Sequence, residues 1–274
     1  MTAALAFCHG PFGRVSLYRI NKPLAPHAHR EGHLIFRIGH GEAAVSVDGT
    51  LCPVDATRAV AVSPWQPHDF RPAYWGDSSV FLVLYITPQW FEEMGSGPGL
   101  RFGDASLTLT PTMQAGVAEV ASLLADGLTG TRFSIGLREV AMACFEQSWS
   151  HTPMSAAVAP RGSRCSDFRI RKALALMNER VADVCILDRI ARDAGLSRPH
   201  FYKLFRQNVG LTPNMYLNTL RVERSIQRLT RGADPITSIG LDLGFASQAS
   251  FTRFFSNNVG VAPTDYRRGS LLAA

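Results

Sequence analysis

The first 88 residues alternate between apolar and polar positions, the period expected of strands that bury one face. Residues 43–54, AAVSVDGTLCPV, alternate into Asp48-Gly49 and out again, a strong signal for a two-residue hairpin turn. Residues 58–63 (RAVAVS) and 79–86 (SVFLVLYI) are further β-forming runs. Prolines, which central strands tolerate poorly, separate these runs at Pro53, Pro64, Pro67, Pro72 and Pro88. Short strands with frequent turns predict a small β-barrel or sandwich.

The apolar period changes to that of a helix after about Thr110. In TPTMQAGVAEVASLLADGL the apolar residues follow i, i+3, i+4, i+7 spacing, with Pro111 at the start of the run and Gly127 at its end. The segment FSIGLREVAMACFEQSW repeats the pattern. We therefore expect a helical hairpin at residues 111–150, whose apolar stripe either covers the barrel or pairs with a second copy of the chain.

The region after the hairpin divides the chain. Residues 151–166, HTPMSAAVAPRGSRCS, are small, polar and proline-bearing without periodicity, which is typical of a linker. The pattern after them is helical throughout. A chain of 274 residues is long enough for two cores. We predict a two-domain α+β protein: a β-barrel domain with its helical hairpin at residues 1–150, and an all-α domain at residues 167–268.

Charge separates the same two regions. The net charge is +6, yet residues 166–268 hold 16 Lys and Arg against 9 Asp and Glu, whereas residues 1–165 hold 12 against 13. This asymmetry points to a polyanion-binding domain joined to a near-neutral one, although a basic face that is merely solvated stays open. No apolar run reaches the length of a membrane span, so we expect a cytoplasmic protein with no membrane partner. The five cysteines contain no CxxC pair and predict reduced, mostly buried thiols.

The C-terminal region contains an internal repeat. Residues 187–213, LDRIARDAGLSRPHFYKLFRQNVGLTP, reappear as residues 236–263, ITSIGLDLGFASQASFTRFFSNNVGVAP. Each copy predicts a short helix, a glycine turn, and a second helix that Ser197 or Ser247 can cap. The apolar face of each second helix carries Phe201, Leu204 and Phe205 in the first copy, and Phe251, Phe254 and Phe255 in the second.

The opposite face of each second helix is polar. It carries Arg198, Tyr202, Lys203 and Arg206 in the first copy, and Gln248, Thr252 and Arg253 in the second. Long donors on a solvated helix are what major-groove reading requires, because Arg or Lys can bind guanine and Gln can bind adenine. Two such helices on a rigid spacer can enter successive major grooves, which lie about 34 Å apart on one DNA face.

These motifs resemble the DNA-binding domain of the AraC/XylS family, most specifically in the block GF…SQASFTRFF…GVAPTDYR. The resemblance implies a transcription regulator, of the activator kind, with two helix-turn-helix motifs. It implies double-stranded promoter DNA, RNA polymerase and a second copy of the chain in a homodimer as partners. The residues implied to contact DNA are Arg198, Pro199, Tyr202, Lys203, Arg206, Ser247, Gln248, Ser250, Thr252 and Arg253. Pro199 and Ala249 stand where many members carry longer polar or aromatic groups, which leaves the base preference there open.

Three histidines precede an apolar run in residues 26–36, PHAHREGHLIF, and the segment SPWQPHDF adds a fourth. The first ninety residues resemble a cupin of the kind that precedes this DNA-binding domain in many family members. Cupin metal sites use H-x-H-x(3–4)-E and a later histidine; here a histidine stands in the glutamate position, and the glycine usual before the second motif is absent. Four imidazoles could hold a divalent zinc, iron, copper or nickel ion, with His27, His29, His33 and His68 as the ligands.

A pocket that senses a small-molecule effector is the interpretation we favour over a metal site, since barrel mouths are common ligand sites. Its expected lining is His29, His33, Arg37, Trp65, His68 and Tyr85. A surface or structural hydrogen-bonding role for each single histidine stays open.

The leading hypothesis is therefore a protein that is not an enzyme: a regulator whose cupin-like domain senses a small molecule, dimerises and controls promoter binding. One alternative is a metal-dependent cupin enzyme with an appended helical domain. Another is a ligand-independent regulator that uses the barrel for assembly alone. The chain has no Ser-His-Asp constellation, Walker loop or dinucleotide glycine pattern to suggest other enzymatic chemistry.

Overall fold

The computed structural model describes residues 3–72, 79–93, 100–151, 167–183 and 186–272. The chain divides into two compact units. The β unit comprises residues 1–157 together with 259–274, and the helical unit comprises residues 158–258. The predicted two-domain α+β organisation is confirmed, whereas the predicted linker falls almost wholly at residues 152–166, outside the described residues.

Ten short strands and one short helix form most of the β unit. The strands are β1 Ala3–Gly10, β2 Gly13–Ile20, β3 Leu24–His27, β4 Gly32–Ile38, β5 Ala43–Val47, β6 Thr50–Val54, β7 Arg58–Val62, β8 His68–Pro72, β9 Ser79–Ile86 and β10 Ser106–Thr108, with helix α1 at Pro88–Glu93. They form two sheets, ordered β1-β2-β9-β4-β7-β10 and β3-β8-β5-β6. The described strands thus form two separate antiparallel sheets rather than one closed barrel.

The predicted hairpin turn joins β5 to β6. Asp48 and Gly49 both adopt positive φ, 50° and 86°, and Val47 pairs with Thr50 across the turn. This is the geometry that a two-residue turn with the right-handed strand twist requires, and Asp-Gly is the sequence that tolerates it.

Strand alternation gives the larger sheet two different faces. One face carries apolar side chains such as Val15 and Leu17 of β2 and packs under the helical hairpin, α2 Pro111–Ala125 and α3 Thr131–Ser148. Thr110 caps α2 by accepting the Met113 N–H at 3.3 Å. The intervening positions of β2 place Arg14, Ser16 and Tyr18 on the other face of that sheet.

The helical unit contains α4 Phe168–Glu179, α5 Ile186–Asp193, α6 Arg198–Val209, α7 Pro213–Arg231, α8 Ile236–Asp242 and α9 Gln248–Val259, whose last residue belongs to the β unit. Phe201, Phe205, Phe251 and Phe255 are fully buried, as expected. Leu204 and Phe254 are only half-buried, so the apolar face of each second helix is narrower than predicted. The glycines between paired helices, Gly195 and Gly244, have φ of 66° and 84°, which permits the tight exit.

The final helix, α10 Pro263–Leu272, packs against β1 within the β unit. The compact units therefore divide the chain differently from the predicted domains, which assigned residues up to 268 to the helical domain. Gly269 makes the close approach to β1 feasible, because a Cβ there would lie 2.6 Å from the buried Phe7 ring.

Two further expectations concern thiols and membranes. Cys8, Cys52 and Cys144 are buried free thiols, while Cys165 and Cys185 lie outside the described residues. Within the described ranges, none of the helices has the length and apolar character needed to cross a membrane.

Candidate nucleic-acid interface and histidine pocket

The predicted DNA-contacting residues all lie on α6 or α9 or directly before α9. On α6, Tyr202 is half-buried and the exposed members are Arg198, Pro199, Lys203 and Arg206. At α9, Ser250 and Thr252 are half-buried and the exposed members are Ser247, Gln248 and Arg253. Because the fully buried phenylalanines occupy the opposite side of each helix, the exposed members of this set lie on the solvent side of α6 and α9.

The surface of α6 is basic and aromatic. Arg198 lies 3.1 Å from the Asp188 carboxylate of α5 and 5.6 Å from the centroid of the Tyr202 ring. A shallow depression beside it is lined by Tyr202, Lys203, Arg206, Gln207 and Thr212. Gln207 and Thr212 are additions to the predicted set. Gln207 could have been found in the sequence, because it lies four residues after Lys203, on the same helical face.

The surface of α9 is built on hydroxyl and amide groups. The Ser247 hydroxyl accepts the Ser250 N–H at 3.2 Å, and the Ser250 hydroxyl donates to the Ser247 carbonyl at 2.7 Å, so these side chains fix the start of the helix. The Thr237 hydroxyl of α8 donates to Gln248 Oε1. The cation on the exposed face of α9 is Arg253.

A cavity of about 40 Å³ lies within the β unit. Its wall combines apolar side chains with imidazoles and phenols, and is formed by Tyr18, Ile20, Leu24, His27, His33, Ile35, Val45, His68, Phe70, Phe81, Val83, Tyr85 and Val259. These residues come from both sheets and from the last residue of α9. The volume accommodates on the order of three water molecules.

The predicted pocket residues are brought together only in part. His33, His68 and Tyr85 line the cavity, and the His29 ring lies 5.2 Å from His33 and 5.4 Å from His68, between ring centroids. Arg37 and Trp65 are not among the lining residues. The Arg37 guanidinium donates to the Gly41 carbonyl at 2.9 Å, and Trp65 occupies a turn with φ of 62°.

The four histidines form one buried cluster. His27 and His68 are paired across β3 and β8, and their ring centroids are 4.3 Å apart. The His33 ring on β4 lies 4.4 Å from that of His68. One ring nitrogen each from His27, His29 and His68 lies within 4.8 Å of the others. Alternation places His27 and His29 on the same side of the chain, which explains their convergence.

The cluster favours neutral imidazoles with unused lone pairs. Burial lowers the pKa of all four histidines, and the neighbouring imidazoles His27, His33 and His68 lower that of His29 further. His27 Nδ1 and His68 Nδ1 lie 2.6 Å and 2.8 Å from backbone carbonyl oxygens, which favours the Nδ1–H tautomer. His68 Nε2 is then an acceptor, and it is buried without a hydrogen-bond partner, as is His33 Nδ1.

The sequence did not lead us to expect a role for Arg14, which lies against the pocket residue Tyr85. Arg14 is only 5% exposed, and its guanidinium lies 3.7 Å from the centroid of the Tyr85 ring. It donates to the Tyr266 hydroxyl of α10 at 2.9 Å. Desolvation of this buried guanidinium is offset by the nearby phenols of Tyr266, Tyr18 and Tyr85 and by the charge of Glu31. The signal was present in GRVSLYRI, where an arginine occupies an alternating position that the strand pattern directs inward.

Comparison with known proteins finds similarity in the C-terminal region. Residues 190–269 match the profile of a helix-turn-helix domain. Over 108 residues the chain is 30% identical to the transcriptional activator RhaS of Escherichia fergusonii, a match that covers 39% of each chain. Over 99 residues it is 30% identical to the transcriptional regulator ArgR of Pseudomonas aeruginosa, covering 36% of this chain and 30% of that one. The match thus spans about two fifths or less of each curated relative, and both are named as regulators rather than enzymes.

Solved structures of ToxT from Vibrio cholerae share the fold over nearly the whole chain. One has a TM-score of 0.56 at 15% identity and covers 98% of this chain and 97% of its own. A second, with unsaturated fatty acid bound, has a TM-score of 0.56 at 15% identity and covers 96% and 95%. At this identity the likeness shows a shared fold, a β-sheet domain joined to a helical domain.

Proposed function

We propose that this chain, whose C-terminal region is an AraC-type helix-turn-helix domain, is a cytoplasmic transcription regulator that binds promoter DNA through α6 and α9. The observation that carries this proposal is the pair of helices with fully buried phenylalanines on one side and exposed donors on the other. Arg198, Lys203 and Arg206 supply phosphate and guanine contacts from α6. Gln248 and Arg253 supply base-edge contacts from α9.

The DNA-binding proposal is tested with two variants. Lys203→Ala and Arg253→Ala should each weaken binding to the promoter by about 1–3 kcal/mol, as loss of a base or phosphate contact does. Circular dichroism should show unchanged helix content, since both side chains are exposed. Glu179→Ala, an exposed residue at the end of α4, is the matched control and should bind as the wild type does. Wild-type affinity in both variants would exclude these helices as the reading elements.

We propose further that the β unit, as a cupin-like sensor, takes a small-molecule effector into the histidine pocket. Two facing sheets with a mostly apolar cavity between them support this reading. A ToxT structure of similar fold holds an unsaturated fatty acid. The cavity of about 40 Å³ is small, so an organic effector requires the wall to open, and a screen for ligands should find compounds that raise the melting temperature and change DNA affinity.

A divalent transition metal is the second candidate for this pocket. The observation in its favour is that one ring nitrogen each of His27, His29 and His68 lies within 4.8 Å of the others. The His33 ring lies 4.4 Å from that of His68, so His33 is the candidate fourth ligand. A metal with one water fits the cavity without opening it. Zn²⁺ or Ni²⁺ titrated into chelator-treated protein should bind stoichiometrically and raise the melting temperature, and His68→Gln should abolish both effects. A His200→Gln variant, whose exposed imidazole lies outside the cluster, is the control.

We propose that the active form is a homodimer, and that RNA polymerase is its partner at the promoter. The helical hairpin supports the first point, since Leu128 and Ile135 are 59% and 53% exposed near its turn. Leu128→Asp should shift the sedimentation of the chain toward the monomer. A wild-type chain that sediments as a monomer at micromolar concentration would contradict dimerisation through this surface.

A further inference from the structure

Within the helical unit, the turn of the second helix-turn-helix motif lies directly against a loop that adjoins the first. Gly244, between α8 and α9, has φ of 84°, and a Cβ added to it would lie 2.0 Å from the carbonyl oxygen of Ala182. Ala182 follows α4, which packs against both helices of the first motif, α5 and α6. The backbones therefore approach as closely as they do because the residue at this turn has no side chain.

The equivalent turn of the first motif makes no such approach. Gly195 has φ of 66°, so it adopts the same left-handed conformation as Gly244. No atom of the described chain lies within 4 Å of a Cβ built on Gly195. The two glycines thus share a backbone requirement, and the close contact belongs to Gly244.

A half-buried arginine of α7 spans the same contact. Arg221 Nε donates to the Val181 carbonyl at 3.1 Å, and its guanidinium carbon lies 5.5 Å from the centroid of the Phe245 ring. The Phe245 ring lies 5.5 Å from that of Phe251 and 4.8 Å from that of Phe254, between centroids. One side chain thus joins the loop after α4 to the aromatic residues that support α9.

We propose that these contacts fix the separation and rotation between α6 and α9, and thereby select the spacing between the two DNA segments that these helices read. We call them the inter-motif junction, formed by Val181, Ala182, Arg221, Gly244 and Phe245. Arg221 acts in it as a positioning residue rather than as a DNA contact. The inference rests on the proposed function, because it requires both α6 and α9 to read DNA.

The junction is a second attachment between motifs that α7 already connects. A single connecting helix leaves rotation possible at either of its ends. At the far end of α7, Arg228 donates to Asp234 Oδ2 from Nε and Nη2, at 2.9 Å and 2.7 Å, and to Asp242 Oδ2 of α8 from Nη1 at 2.9 Å. The second motif is therefore held both at the end of α7 and at the inter-motif junction.

A fixed spacing has a consequence that a loss of charge does not share. One base pair inserted between the two DNA segments displaces the second by about 3.4 Å and rotates it by about 34°. A chain with an intact junction loses contacts on this longer duplex, whereas a chain with a loosened junction follows the displaced segment. Loss of a phosphate contact weakens binding to both duplexes equally.

The experiment uses the full chain and the duplex that the wild type selects from a pool with about 30 randomised base pairs, a length that holds both segments. Affinity is measured for this duplex and for one with a single base pair inserted between the segments. Gly244→Ala crowds the Ala182 carbonyl, and Arg221→Met removes the donor to Val181 while keeping an unbranched stem.

Two controls match these variants. Gly195→Ala introduces the same left-handed strain without a close contact, and Lys203→Ala removes an exposed cation of α6. We expect the insertion to weaken binding about tenfold in the wild type and in both controls, and about threefold or less in Gly244→Ala and Arg221→Met.

A penalty near tenfold in both junction variants overturns the inference. An equally reduced penalty in Gly195→Ala also overturns it, because left-handed strain alone would then explain the effect. Circular dichroism checks folding, and Arg221→Met decides the outcome if Gly244→Ala does not fold.

Hydrogen exchange distinguishes failure of this inference from failure of the proposed function. If the wild type selects no duplex, the proposed function fails. Faster amide exchange in residues 180–183 of Gly244→Ala and Arg221→Met, but not of Gly195→Ala, would then still support the junction between the motifs. Unchanged exchange in all three variants would overturn it.

Discussion

The two units differ in whether their functional polar side chains are buried or exposed. The β unit buries it: four imidazoles and the Arg14 guanidinium are each less than a tenth exposed. The helical unit buries phenylalanine rings and leaves the cations of α6 and α9, Lys203 and Arg206 among them, in solvent. A buried polar group is stable only with a specific partner, whereas an exposed cation binds any polyanion of suitable shape. The difference agrees with the proposed functions, ligand selection by the β unit and DNA binding by the helical unit.

The largest effect on this difference is expected from removing a buried ring that supports α6. Phe205→Ala deletes a fully buried ring and should destabilise the helical unit by about 3–5 kcal/mol. DNA binding should be lost because the polar face has no fixed scaffold. Phe168→Ala truncates a phenylalanine that is 68% exposed and serves as the control. Urea unfolding followed by far-ultraviolet circular dichroism measures both. A loss below 1 kcal/mol in Phe205→Ala would contradict the assigned core.

The second test addresses the buried imidazoles of the β unit. Because burial lowers the pKa of the cluster histidines in the folded chain, the unfolded chain binds protons first as pH falls below 6.5. Stability is therefore highest above pH 6.5 and decreases below it, with a slope of about 1.4 kcal/mol per pH unit for each imidazole that stays neutral. Urea unfolding of chelator-treated protein at each pH, followed by tryptophan fluorescence, measures the free energy of unfolding of the β unit. Trp65, Trp90 and Trp149 all belong to this unit.

A matched variant isolates the contribution of one imidazole. His29→Gln should reduce the slope of the free energy of unfolding against pH, between pH 6.5 and 5, by the contribution of one imidazole. His40→Gln, which alters an exposed histidine, is the control and should leave this slope unchanged. A stability that is flat over this interval in the wild type would mean that the cluster accepts protons in the folded state, contrary to its burial.

The periodicity of apolar residues predicted the local structure correctly, but it did not predict contacts between residues that are far apart in the sequence. The Asp48-Gly49 turn, the helical hairpin and the four buried phenylalanines follow from periods of two and 3.6 residues. Convergence of the histidines follows from strand parity. Arg37 was expected in the pocket on the same parity, but the nearby Gly41 carbonyl binds its guanidinium. The pairing of Arg14 with Tyr266 joins residues 252 positions apart, which no periodicity encodes.

The smallest expected effect separates the two copies of the repeat. Ser247 caps α9 through the Ser250 N–H, whereas the Ser197 side chain makes no capping hydrogen bond to α6. Ser247→Ala should therefore cost about 1 kcal/mol of helical-unit stability, and Ser197→Ala only a few tenths. Hydrogen exchange of the first-turn amides of each helix measures the two separately. Equal losses of stability in Ser247→Ala and Ser197→Ala would show that the hydrogen bonds between Ser247 and Ser250 do not stabilise the start of α9.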